Sequence, residues 1–314
     1  MQDTNYNNSY DGEFDFYQLF QVIAHGKRII ISFTIIAAVL AVIYSLSLPN
    51  IYQSKALLVP VEPQEGVSSA LESYSGLASL AGVSLPSQNS GSNSKRALEK
   101  LISLSFFENN ILPSISLHEL MAVKSWDVNL NKLVIDDDLY DEKNNSWVRD
   151  FSYPQKLIPS AQESYEVFQK KHFIIDEDKK TGFISLSIKH QSPYIAHKWA
   201  ELIINQINAF YRKKDKDEAE KAVIFLNSEM IKTNFTEIKQ AIATLLQKET
   251  QKLTLIAVNE SYVFEYIDPP SVMEKKSEPR RAFICILGTI FGLMLGIITV
   301  ITNNYIFQEK NKLT

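Results

Sequence analysis

Two uncharged apolar runs, one near each end, decide most of what this chain can be. Residues 282–306 contain 25 positions without a charged side chain. A helix crossing a hydrocarbon core of about 30 Å needs roughly 20 apolar residues. Residues 29–48 form a second uncharged run of sufficient length, so both read as membrane spans. A cleaved signal peptide competes for the first run, with Ser45-Leu46-Ser47 as its small-residue cleavage site. That run exceeds the roughly 7–15 residues of a signal core, and 28 residues precede it, so the spanning reading is taken.

The spans bracket residues 49–281, a soluble segment of 233 residues, and leave tails at 1–28 and 307–314. Nothing else in the composition points to a membrane, with 45% apolar and 22% charged residues. A net charge of −4 and the lack of basic clusters interleaved with aromatics exclude a nucleic-acid partner. The only cysteine, Cys285, lies inside the second span, so the soluble segment has neither disulfides nor thiolate metal ligands.

Orientation follows from basic residues flanking the spans. The tails carry Lys27, Arg28, Lys310 and Lys312; the loop side carries Lys55, Lys275, Lys276, Arg280 and Arg281. The totals nearly balance, but Lys27-Arg28 abut the first span, which usually dominates. Both tails are therefore placed in the cytoplasm and 49–281 outside, in a periplasm. The basic, proline-punctuated collar at 268–281 then breaks the usual rule, which suggests a use for its charges.

Along the chain, residues 1–11 read as disordered. Residues 14–23 form either a short amphipathic helix on the inner surface or a plain extension of the first span. Residues 51–61 are β-rich and read as a strand leaving the membrane, 66–83 are rich in small residues, and 87–94 form a flexible polar loop. Residues 95–112 return to helical spacing, with Leu98, Leu101, Ile102, Ser105 and Phe106 on one face. Asp136-Asp137-Asp138 suggests calcium, but no glycine or alternating ligand pattern accompanies it, so a solvated acidic surface is expected. Residues 171–189 predict a hairpin turning at 176–182, with Ile184, Leu186 and Ile188 alternating with serines.

From Tyr194 to Asp268 there is neither glycine nor proline. Ile195, Trp199, Leu202, Gln206 and Phe210 step along one helical stripe, and Arg212-to-Lys221 is charged apart from Ala219. As one helix, 193–252 would be about 90 Å long at 1.5 Å per residue and would project with an exposed stripe wanting partners. A break at Thr233-Asn234 gives two antiparallel helices instead; the single helix is the form preferred. Residues 262–267 predict a last strand, pairing with 51–61 in a base sheet. The predicted fold class is α+β, with two transmembrane helices around a domain of base sheet and very long projecting helix.

Catalytic and phosphate-binding motifs are absent, His190 and His197 are poorly spaced for metal, and surface placement accounts for the five histidines. No enzyme, cofactor or metal is expected.

The layout and the collar resemble the polysaccharide co-polymerases, the chain-length determinant proteins of O-antigen synthesis. That family's second span carries a proline–glycine signature. Here Pro270 takes the first proline, Pro279 and Arg280 the later Pro-Lys pair, and Gly292 and Gly296 the Gly-x-x-x-Gly that follows. Met273 and Glu278 depart from the signature, which puts the collar's rigidity in doubt. Ser75-Gly-Leu-Ala-Ser-Leu-Ala-Gly82 and the lead into Lys27-Arg28 also resemble the family. The resemblance implies a homo-oligomeric, ring-shaped regulator at the bacterial inner membrane, without catalysis and, from the short tail, of the type lacking a kinase domain. Its implied partners are the O-antigen polymerase and a lipid-linked polysaccharide. Gly292 and Gly296 would approach either residues 29–48 or a neighbouring polymerase. Length control of a capsule or common antigen remains an alternative, as do a two-span sensor and an export adaptor.

Overall fold

The computed structural model describes residues 16–61, 91–259 and 261–312. The expected disorder at 1–11, the small-residue stretch at 66–83 and the first part of the polar loop at 87–94 fall outside these residues. The chain divides into two units, 1–49 with 278–314, and 50–277.

In the first unit, α1 (Phe16–His25) leads through Gly26 into α2 (Lys27–Ser47). Backbone hydrogen bonding continues across the glycine, from Gly26 N–H to Val22 O and from Ile30 N–H to Gly26 O. The lead segment is therefore a helix separated from the span by one residue. The second apolar run forms α9 (Arg281–Lys312), of which Arg281–Asn304 is long and apolar enough to cross a membrane, as is Lys27–Ser47.

The second unit is built on a four-stranded antiparallel sheet of order β6-β7-β1-β8. Its strands are β1 (Tyr52–Pro60), β6 (Phe173–Glu177), β7 (Ile184–His190) and β8 (Phe264–Asp268). The predicted pairing of the first and last strands is present, with Leu58 opposite Tyr266 and Pro60 opposite Phe264. So is the predicted hairpin, with Ile188 opposite Phe173.

Alternation along β1 turns Ala56 and Leu58 into the core, and β7 adds Ile184, Leu186 and Ile188. Against them lies α7 (Pro193–Lys232), a 40-residue helix of about 60 Å. Its buried stripe runs through Trp199, Ile203, Ile207 and Tyr211, beside the track expected from spacing alone. One side chain joins this helix to the edge strand. Asn208 donates from Nδ2 to Phe264 O, at 2.9 Å, and accepts at Oδ1 from the Val263 and Phe264 amides, at 2.9 and 3.0 Å. Asn208→Ala strands those groups, so it should cost about 2–3 kcal/mol. It should also speed amide exchange across 262–268 before other strands, measured on the full chain in detergent.

The preferred single helix over 193–252 is corrected. The helix ends at Lys232, residues 233–235 are not helical, and α8 (Thr236–Val258) runs back along α7. Thr233 and Phe235 adopt extended ψ angles of 141° and 123°. The return is shown by Arg212 donating to Asn259 O at 2.7 Å and by Tyr262 OH donating to Asp215 Oδ2 at 2.6 Å. Packing the second helix on the first buries Ile242 and Ile256, which a lone helix would leave in water. Within the charged stretch, Lys214–Glu218 and Lys216–Glu220 pair at helical spacing.

The region expected as one helix at 95–112 is also divided. The helix α3 (Gly91–Leu101) begins inside the segment expected to be a polar loop. A new start, α4 (Leu104–Phe106), is capped by Ser103 and continues as a π-helical turn, Phe107–Ile111. The wider turn lets Phe106, Phe107 and Ile111 all be buried.

Farther on, α5 (Leu117–Met121) precedes two small hairpins built alike. These are β2 (Val123–Asp127) with β3 (Lys132–Ile135), and β4 (Tyr140–Asp141) with β5 (Ser146–Trp147). In each, an aspartate oxygen accepts two turn amides: Asp127 from Asn129 and Leu130, Asp141 from Lys143 and Asn144. Each turn closes on an asparagine with positive φ, Asn131 at 49° and Asn145 at 48°, a conformation asparagine tolerates better than most residues. Each asparagine Oδ1 accepts from an aromatic five positions earlier, Trp126 Nε1 or Tyr140 OH. Asp136, from the acidic triplet, caps the intervening turn by accepting from Asp138 N–H.

The expectation of surface histidines fails at two positions. His172 and His190 are both buried, their rings 5.6 Å apart and each edge-on to Trp199. His172 Nδ1–H donates to Lys189 O at 2.7 Å, and His190 Nε2–H to Glu119 O at 3.0 Å. His190 Nδ1 accepts from Ser192 N–H at 3.0 Å, so the one donor and the one acceptor of a neutral ring are both fixed. Burial pushes both pKa values down, that of His190 to about 3. Above about pH 6.5 the ring is neutral whether folded or not. Below that the unfolded chain takes a proton that the folded chain refuses, so stability falls until about pH 3. From His190 alone the loss between pH 7 and pH 5 should be about 2 kcal/mol, read from denaturant midpoints by tryptophan fluorescence. His190→Gln should be less stable at pH 7 but show a shallower loss.

Candidate functional site

The residues singled out by the proline–glycine pattern divide between the two units. In the 50–277 unit, β8 passes at Asp268 into the collar, where Pro270 is buried. The collar is held along β1 by hydrogen bonds that proline spacing did not announce. Ser54 Oγ, on a side chain almost fully buried, donates to Ser271 O at 2.8 Å. Ser277 donates to Ile51 O from its amide at 2.8 Å and from its hydroxyl at 3.1 Å. Lys276 Nζ donates to Asn50 Oδ1 at 3.1 Å. The positions where Met273 and Glu278 depart from the signature therefore do not leave the collar unsupported; serines tie it to the strand.

In the span unit, Pro279 and Arg280 open α9. Arg281 N–H donates to Pro279 O, and the Phe283 and Ile284 amides donate to Arg280 O, which starts the first helical turn. Farther down, Gly292 and Gly296 lie on one face with Gly288, a member that the sequence reading passed over. All three press against α2. A Cβ on Gly288 would stand 2.4 Å from Ala41 Cβ, and one on Gly292 would stand 2.4 Å from Ala37 Cβ and 3.1 Å from Phe33 O. A Cβ on Gly296 would stand 2.9 Å from Ile30 Cα. At the far end the roles reverse, and a Cβ on Gly26 would stand 2.3 Å from Val300 Cγ1.

This register makes the spans an antiparallel pair, with Gly288 beside Ala41 and Gly296 beside Ile30. In lipid the hydrophobic effect does not hold helices together, so close van der Waals contact between small residues must. Of the two surfaces left open for the Gly292 face, the structure selects the chain's own first span. Among the described residues, no group of three His, Cys, Asp or Glu converges as a metal site.

A two-span α+β membrane protein with an intramolecular glycine–alanine seam is the class these features define. Residues 12–104 match the family model described as Wzz, chain length determinant protein. That match spans less than a third of the chain, taking in the first apolar helix and β1. No curated protein matches significantly. Among solved structures, a full-length bacterial polysaccharide co-polymerase is similar at 13% identity and a TM-score of 0.41, covering 94% of this chain and 99% of that one. A fragment of WzzB, a polysaccharide co-polymerase from Salmonella Typhimurium, is similar at 10% identity and a TM-score of 0.36, covering 73% and 100%.

The seam makes a specific expectation. Gly292→Ala should separate the spans and lower the melting temperature of the detergent-solubilised chain, while Ala37→Gly in the same molecule should restore most of the loss. Failure of the second change to rescue the first would detach Gly292 from α2.

Proposed function

We propose that this chain sets the modal length of the O-antigen on lipopolysaccharide. In this reading it acts as an oligomeric co-polymerase beside the O-antigen polymerase in a bacterial inner membrane. The domain formed by 49–281 lies in the periplasm and both tails lie in the cytoplasm. The family match over 12–104 carries the proposal. The two apolar helices support a two-pass protein of this kind.

The physical role proposed is that of a scaffold. Copies of the chain assemble as a ring that holds the polymerase, or the growing lipid-linked polysaccharide, for a limited time. The helical hairpin supports association, because Ile224, Phe225, Ile231 and Phe235 near its turn remain exposed. Within this proposal, Pro270, Pro279, Arg280, Gly292 and Gly296 act by joining the outer domain to a tightly packed span pair. They do no chemistry.

Deleting the gene should abolish the modal cluster of bands on a lipopolysaccharide gel and leave a monotonic ladder. Re-expression should restore it, whereas Gly292→Leu or Pro279→Ala at normal membrane abundance should shift or broaden it. Unchanged O-antigen banding with an altered capsule or common antigen would reassign the polymer. No change in any surface polysaccharide would end the proposal.

A further inference from the structure

Residues 122–147 form a small body with a core of its own. Ala122, Ile135 and Tyr140 cluster there apart from the main core. Strand β2 pairs with β3 and β4 with β5, and none of them joins the four-stranded sheet. The chain enters this body through α5, and side chains from around the sheet fasten it. His190 Nε2–H donates to Glu119 O at 3.0 Å, the Leu120 backbone hydrogen-bonds His172, and Gln191 Nε2 donates to Val123 O at 3.3 Å. Trp126 packs edge-on to Tyr52, at 5.5 Å, and Tyr52 lies opposite His190 in the sheet.

Two of these ties run through imidazoles, and one of them fits only a neutral ring. His190 Nδ1 accepts the Ser192 amide, so a proton placed there ends that bond and sets two N–H donors face to face. Ser192 is also the N-cap of α7, whose first turn carries the positive end of the helix dipole. Nearby charges act in the same direction. Lys171, in the π-helical turn Phe168–His172, repels a charge on His172, and His172 repels one on His190 across 5.6 Å. Among the described residues, the other packed elements present neutral groups: carbonyls of Lys189 on β7 and Glu119 on α5, Tyr52 on β1, and Trp199 on α7. His118, also on α5, stacks on Tyr140 at 5.0 Å.

We propose that His172 and His190 form an acid-released latch, whose protonation frees residues 117–147 from the sheet while the four strands stay paired. The separate core lets the segment leave as a unit, and the protons are taken up only once it has left. Above about pH 6.5 both forms hold neutral rings, so opening does not depend on pH. Below that the open form binds protons that the closed form refuses, and opening grows as pH falls, for His190 until about pH 3. Release uncovers Tyr52, next to Ile51, whose carbonyl holds the collar through Ser277.

The test is amide exchange of the full chain in detergent at pH 7 and pH 5, corrected for the intrinsic pH dependence of exchange and repeated in low urea. From His190 alone, opening of 117–147 should rise about 25-fold between the two pH values. Its protection should stay below that of β1 and β7 and depend less on urea, because a small body exposes less surface than the whole unit. His190→Gln should remove most of the pH dependence in 117–147. Gln191→Ala, which cuts an uncharged tie, should lower protection there by the same factor at both pH values. Protection of 117–147 that does not change with pH in the unaltered chain would overturn the proposal. So would a change shared with β1 and β7 at equal urea dependence, which is global unfolding, or a pH dependence that survives both His190→Gln and His172→Gln.

Discussion

The 50–277 unit depends on the register of one strand. Strand β1 lies inside the sheet, paired through Ala56 to Leu186 on one side and through Leu58 to Tyr266 on the other. Both partners lie far along the chain, so the unit cannot form until its two ends and its middle have met. A slip of one residue would turn Ala56 and Leu58 out of the core and bring Leu57 in, against a helix face already filled by Trp199, Ile203 and Ile207. Register is therefore fixed by packing on one face, and Ser54, the one serine of β1, carries that precision to the collar. Ser54 can reach Ser271 only because the strand is held in place.

The span unit rests on different physics. Water drives the sheet and its helix together, but lipid is as apolar as the side chains of α2 and α9, so association depends on how closely the backbones approach. Three glycines on α9 and one at the start of α2 make that approach, each occupying a site where a Cβ would collide with a named atom. The 50–277 unit thus relies on a well-packed, hydrogen-bonded core, and the span unit on what is missing from the side chains of its helices.

Much of this was legible from spacing. The spans follow from the length of the uncharged runs, the hairpin at 173–190 from alternation, and the β1–β8 pairing from two β-rich stretches at the ends of one segment. The helical hairpin was harder to read. Thr233-Asn234-Phe235 contains neither glycine nor proline, and its break reflects the burial of Ile242 and Ile256 against α7, a gain available only after folding. His172 and His190 looked like surface residues because neighbours such as Lys171 and Lys189 are polar. Their burial depends on Trp199 and on carbonyls from α5, some seventy positions away from His190. The matched aromatic–asparagine turns were hidden by the acidic triplet between them, although Trp126 with Asn131 and Tyr140 with Asn145 share a five-residue spacing that marks both.

By itself the sequence determined the quantities that local chemistry can set: where the chain can cross a membrane, which stretches alternate and which wind, and the proline–glycine spacing around Pro279, Arg280, Gly292 and Gly296. Tertiary structure decided what those pieces meet. It turned the glycine face toward Ala37 and Ala41 of the same chain, folded one long helical run into a hairpin, and placed two neutral histidines against a tryptophan. Periodicity records which side of an element avoids water. The partner on that side is chosen by shape and distance in three dimensions, which no local pattern contains.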